Sequence, residues 1–164
     1  MEIIQGKSAL LIDACALADR LAGYRHTLID IGTGDGRFVR HTAETQPGMF
    51  AIGVDACREN LRNTSRRAPR NALFAIANAQ TLPRELYGLA THMTINFPWG
   101  SLLNGLLMGN TALLGGLSTI APPGARIESP IELRCISRSG LGARSHRPPA
   151  KPVAWNGSRS KRLL

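Results

Sequence analysis

Leu28-Ile29-Asp30-Ile31-Gly32-Thr33-Gly34-Asp35-Gly36-Arg37-Phe38 decides the fold of this chain. An apolar run short enough to be a buried strand ends on a carboxylate and breaks into three glycines at alternate positions, after which Arg37 opens a helix. A turn that brings backbone up against a bound nucleoside cannot carry Cβ atoms, and some of its positions need positive φ. The helix N-terminus beside it suits a carboxylate or phosphate. The spacing Asp-x-Gly-x-Gly-x-Gly is one residue shorter than the dinucleotide pattern Gly-x-Gly-x-x-Gly, which argues against NAD because a pyrophosphate needs the longer cradle. Taken alone, the stretch reads equally as a plain turn or as a small-nucleoside site.

Working outward, strand Thr27–Ile31 leads through the turn into a helix Arg37–Gln46, stopped by Pro47-Gly48. Met49–Val54 is a second buried strand, ending on Asp55. Consecutive parallel strands of a doubly wound sheet carry their loops on one edge, so Asp30 and Asp55 should face one cleft. Asp55 lies 19 positions after Gly36, where a ribose is held by its hydroxyls; the alternative is that it caps the next helix. A helix Arg58–Arg67, a strand Ala72–Ala77, a short helix near Arg84–Leu89 and a strand His92–Phe97 follow. A leucine-faced helix then spans Ser101–Ala121. Upstream, Met1–Ile12 reads as a small hairpin turning near Gly6-Lys7, with a short helix as the alternative, and Asp13 caps a helix that Gly23 ends. Four strand–helix repeats predict an α/β, doubly wound, Rossmann-like sheet. A fifth strand within Gly124–Ile136 would sit at an edge because of Pro130.

Composition bounds the rest. The net charge of +9 is unevenly placed: residues 1–120 carry 11 basic and 9 acidic side chains, residues 121–164 carry 9 and 2. Six of the ten prolines follow Ala121. We therefore expect one domain over residues 1–136, its sheet incomplete at the C-terminal end, and a basic Pro/Ser/Gly-rich disordered tail over 137–164. So abrupt a change of composition also fits a truncation or a shifted reading frame. Cys15, Cys57 and Cys135 form no Cys-x-x-Cys pair, and His26, His41, His92 and His146 show no ligand spacing, so neither a disulfide framework nor a metal is expected. There is no signal peptide pattern. The stretch Leu86–Ala125 lacks charge, but its leucines fall on one helical face, as in a helix laid on a sheet rather than in a membrane. A cytoplasmic protein is expected.

Ile29-Asp30-Ile31-Gly32-Thr33-Gly34-Asp35-Gly36 resembles the first motif of class I S-adenosylmethionine-dependent methyltransferases, and Gly53-Val54-Asp55 the second. More narrowly, Ile52–Ala56 with Glu59-Asn60-Leu61, Ala79-Gln80-Thr81-Leu82-Pro83 and Phe97-Pro98-Trp99-Gly100-Ser101-Leu102-Leu103 resemble the 16S ribosomal RNA adenine-1408 N1-methyltransferases of aminoglycoside resistance. The resemblance covers about residues 1–120, and the Phe-Pro-Trp-Gly loop is its specific part. It implies that S-adenosylmethionine is the cofactor and that 16S rRNA in the small ribosomal subunit is the partner. Gly32 and Gly34 would admit the cofactor's amino acid end, Asp30 would neutralise its ammonium, and Asp55 would take the ribose hydroxyls. Ala79 and Gln80 would flank the adenine, Gln80 standing where the family has Glu. Ser101 would line the methyl-transfer side.

Trp99 carries the mechanistic expectation. An adenine inside a stacked helix cannot present N1 to a methyl donor, so the base must be flipped out and held against something flat. An indole offers stacking of roughly 1–3 kcal/mol, and its face favours the positive charge that N1 methylation leaves on the ring. The bland alternative is a half-buried structural tryptophan. Trp155 matches nothing in the family pattern and receives no role. Arg58, Arg62, Arg66, Arg67 and Arg70 form a basic ridge that reads either as a solvated face or as an rRNA backbone contact, since related enzymes dock through a basic segment here. Two other functional classes share part of the pattern: a non-catalytic RNA-binding remnant, and a tRNA guanine N7-methyltransferase or small-molecule methyltransferase.

Overall fold

The computed structural model describes residues 1–129. The expectations for the 137–164 tail, Pro130, Cys135, His146 and Trp155 fall outside that range. Strands β1 (Glu2–Gln5), β2 (Ser8–Leu11), β3 (His26–Ile31), β4 (Met49–Asp55), β5 (Ala72–Ile76), β6 (His92–Thr94) and β7 (Arg126–Glu128) form one sheet in the order β2-β1-β5-β4-β3-β6-β7. From β5 to β7 every pairing is parallel, while the β1–β2 hairpin runs antiparallel onto the β5 edge.

Helices cover both faces, as a parallel sheet requires, and the residues alternate to serve them. Phe50, Ile52 and Val54 of β4, with Leu73 and Ala75 of β5, pack toward α1 (Ala14–Leu21), α4 (Gly100–Leu107) and α5 (Thr111–Ile120). Ala51, Ala72 and Phe74 pack the other way, against Val39 and Ala43 of α2 (Arg37–Thr45) and Leu61 of α3 (Arg58–Ser65). The period of two is thus read by two different helical layers. Asp13 caps α1 as expected, accepting from the Ala16 amide at 2.8 Å. The hairpin turn is tied to the end of α3, where the Gly6 amide donates to Ser65 Oγ at 3.0 Å.

Three elements depart from the sequence reading. The single leucine-faced helix over Ser101–Ala121 is two helices, because Gly109 adopts φ 64 and Asn110 starts α5 with its Oδ1 accepting from the Leu113 amide at 3.0 Å. Glycine ending one helix and asparagine capping the next is favourable chemistry at both termini, and it leaves Leu107 and Met108 exposed instead of facing the sheet. Among the described residues no helix is long and apolar enough to cross a membrane. The strand expected at His92–Phe97 stops at Thr94, and the short helix near Arg84–Leu89 is a single 3-10 turn, Arg84–Leu86. The early end of β6 leaves Asn96 and Phe97 to line the cavity.

Candidate functional site

The loops that leave β3, β4, β5 and β6 at the C-terminal edge of the sheet enclose a cavity of about 840 Å³. That is the edge where a doubly wound sheet binds its ligand, and the volume is ordinary for a small-molecule site. Asp30, Gly32, Gly34, Asp55, Ala79, Gln80, Trp99 and Ser101 all line it. The five arginines do not.

Asp30 is the most constrained of these groups. It sits at the end of β3, 1% exposed, with β6 beside it in a register that pairs Asp30 with Thr94. Thr94 Oγ1 donates to Asp30 Oδ1 at 2.7 Å and Asn96 Nδ2 donates to the same oxygen at 3.1 Å. Burial pushes the carboxyl above the ordinary Asp range, the nearby Thr33, Thr94 and Asn96 side chains pull the other way, and the charge of Asp55 adds to the upward push. The arrangement is a carboxylate held ready but short of positive charge, and a cation delivered through the cavity would relieve it.

The glycines and Asp55 build the adjoining wall together. Gly32 adopts φ 70, so a side chain there would strain the backbone, and its Cβ, 2.5 Å from Leu102 Cδ2, would also displace the end of that leucine. Gly34, at φ 60, meets nothing within 4 Å in that direction and is open to the cavity. Its amide donates to Asp55 Oδ2 at 2.8 Å, while Asp55 Oδ1 accepts from the Cys57 amide at 2.8 Å. Asp55 is not the cap of α3: Cys57 is the N-cap, without a side-chain cap bond, and Asp55 instead holds the turn just before the helix while lining the cavity. Each carboxylate oxygen keeps a second lone pair for an incoming hydroxyl.

Ala79 and Gln80 lie in the loop after β5, folded back by the Gln80 amide donating to Asn78 Oδ1 at 2.9 Å. α5 presses on this loop closely enough that a Cβ on Gly116 would stand 3.1 Å from the Ala79 carbonyl oxygen.

The opposite wall is built differently. Phe97 is the one non-glycine described residue with positive φ, at 46, a conformation that costs about 1–3 kcal/mol and persists only where the surroundings impose it. It turns the chain sharply out of β6, and Pro98 follows. Trp99 then precedes the first residue of α4 in an extended conformation, and Ser101 stands in the first turn. Phe97 is 79% and Trp99 84% exposed, so both aromatic side chains reach the cavity from its rim rather than from the core. The half-buried structural reading of Trp99 does not hold.

Arg58 and Arg62 lie on α3, and Arg66, Arg67 and Arg70 in the chain beyond it. Arg62 comes within 3.8 Å of Glu59. Among the described residues Arg66, Arg67 and Arg70 have no carboxylate within ion-pair distance. The stem of Arg66 lies against Gly6, which sets the exposed Lys7 next to this ridge. His26 and His92 meet edge to face, ring centroids 5.5 Å apart, at the strand ends away from the cavity. No group of three or more potential metal ligands forms among the described residues.

The sequence reading missed Thr94, Asn96, Phe97 and Lys7. Thr94, Asn96 and Lys7 acquire their places through contacts between segments far apart in the chain, and only Phe97, inside the Phe-Pro-Trp-Gly loop, had a local sign.

A family model described as NpmA, 16S rRNA (adenine(1408)-N(1))-methyltransferase, matches residues 2–155. A 16S rRNA (adenine(1408)-N(1))-methyltransferase of Escherichia coli is 32% identical over 136 residues, covering 78% of this chain and 62% of that protein. The antibiotic-resistance methyltransferase Kmr superposes with a TM-score of 0.76 at 39% identity, over 79% of this chain and 70% of Kmr. The 16S rRNA (adenine(1408)-N(1))-methyltransferase of Catenulisporales acidiphilia, solved as a tryptophan-to-alanine mutant with cosubstrate SAM, gives a TM-score of 0.76 at 29% identity, over 79% of this chain and 61% of that one. The chain spans about three fifths of the length of the curated relatives it matches.

Proposed function

The chain belongs to the 16S rRNA (adenine(1408)-N(1))-methyltransferase family, and on that footing we propose that it transfers a methyl group from S-adenosylmethionine to N1 of a flipped adenine in the small ribosomal subunit, in the bacterial cytoplasm, and so confers aminoglycoside resistance. One observation carries the reading furthest. An almost fully exposed indole, Trp99, stands on the rim of a cavity whose floor holds a buried, cation-seeking carboxylate.

The cavity suits the cofactor group by group. Asp30 meets the ammonium, Gly34 leaves room for the amino acid end, and the spare lone pairs of Asp55 accept the ribose hydroxyls. Ala79 and Gln80 flank the adenine. When bound, S-adenosylmethionine supplies an electrophilic methyl on a positive sulfur. The protein's own part is positioning: neutral adenine N1 already carries a free lone pair, so no general base is required. Trp99 stacks the flipped base and favours the charge that develops on it. Ser101, in the first turn of α4, lines the methyl-transfer side. Arg58, Arg62, Arg66, Arg67 and Arg70, with Lys7 added from the hairpin turn, hold the rRNA backbone by contacts that orient without reading sequence. The arginines without carboxylate partners favour this over a merely solvated face.

Incubation of the protein with 30S subunits and methyl-labelled S-adenosylmethionine should label 16S rRNA and stop primer extension at one adenine. A label on tRNA or on a small molecule, or RNA binding with no label at all, would overturn the proposal.

A further inference from the structure

The family's motifs account for Asp30 but not for the two side chains that hold it. We infer that Thr94 and Asn96 are positioning residues, which clamp one oxygen of Asp30 so that the carboxylate presents its other oxygen to the amino acid end of the cofactor. The inference rests on the S-adenosylmethionine reading of the cavity.

The geometry starts from register. β6 pairs with β3 so that Thr94 lies directly across from Asp30, and the chain continues past Thr94 with Ile95 still bonded to the sheet, its amide donating to the Glu128 carbonyl at 3.0 Å. Asn96 is thereby carried to the same strand end, where it also lines the cavity. Both side chains donate to Oδ1 of Asp30, at 2.7 and 3.1 Å. Thr94 is itself buried, 5% exposed, so its hydroxyl depends on the protein for a partner. Two donors on a single oxygen fix the carboxylate plane and favour the ionised form. Neither donor carries a charge, so the positive partner is left for the ligand to bring. Asp55, at the end of the neighbouring strand, is the charged side chain that couples to Asp30, and being negative it cannot fill that role.

The clamp acts on the amino acid end alone, which gives it a signature that general loosening of the fold would not share. S-adenosylhomocysteine and 5′-methylthioadenosine both contain adenosine and a neutral sulfur, but only the first has the amino acid end. Titration calorimetry with both ligands should show Thr94→Val and Asn96→Leu each weakening S-adenosylhomocysteine about ten- to hundredfold, with methylthioadenosine unchanged within about twofold. Thr94→Ser, which keeps the hydroxyl, should restore binding. The pH at which S-adenosylhomocysteine affinity begins to fall on acidification should move upward in both clamp variants, because losing a donor to the carboxylate makes it easier to protonate. Equal losses for the two ligands, or S-adenosylhomocysteine binding within about twofold of the parent, would overturn the inference. Failure of the parent protein to bind either ligand would instead overturn the cofactor reading beneath it.

Discussion

The two walls of the cavity are made of opposite materials. On one side Asp30 is buried under two hydrogen bonds, and Asp55 is pinned by the Gly34 and Cys57 amides. On the other, Phe97 and Trp99 stand largely in solvent on a strained turn. The first wall is built to receive a small charged molecule in one pose with little reorganisation. On the proposed function, the second would receive something that arrives with its own surface. Cofactor binding and the capture of one base of a large RNA are, on that proposed function, thereby kept physically separate.

The sharpest way to break the contrast is to neutralise the buried wall. Asp30→Asn should weaken S-adenosylmethionine by about two orders of magnitude or more, since removing one partner of a buried ion pair strands the other. The same change should raise the Tm of the ligand-free protein at neutral pH. The sign follows from linkage. Asp30 titrates higher in the folded chain than in the unfolded one, so its contribution to stability is full below the ordinary Asp range and is lost as pH rises through the raised value. Thermal melts of both proteins from neutral to acidic pH should show the gap closing as pH falls. A variant less stable than its parent at neutral pH would mean that Asp30 is a structural group.

A smaller effect tests the exposed wall. Trp99→Ala should cut methyl transfer to 30S subunits by about five- to 150-fold, the equivalent of one lost stacking contact, and leave S-adenosylmethionine affinity within about twofold. Parallel losses in both measurements would merge the two walls into one. Smallest of all, Arg66→Ala and Arg67→Ala should each lower the slope of log affinity for 30S against log salt by about one, with cofactor binding untouched.

Much of this molecule is legible in the order of its residues. The β3 turn, the Asp30 and Asp55 strand ends and the hairpin at Gly6-Lys7 are local patterns, and each declares itself within a dozen residues. What escaped was of two kinds. The break between α4 and α5 was written in Gly109-Asn110, but seven leucines on one helical face outweighed two cap residues. Thr94 and Asn96 had no local sign at all, because their meaning depends on β6 lying beside β3 across 64 residues of chain. Phe97 was visible inside its motif, yet its positive φ is imposed by the turn between β6 and α4 and cannot be read from residue type.

The buried carboxylate also has a consequence across generations. A charge that weakens the empty fold is kept only while some ligand rewards it. In a lineage that had stopped using the ligand, replacement of Asp30 would cost the fold less than replacement of the fully buried Leu61 or Phe74. Asp30 and the two side chains that donate to it are therefore the positions at which a loss of binding would register before a loss of the fold.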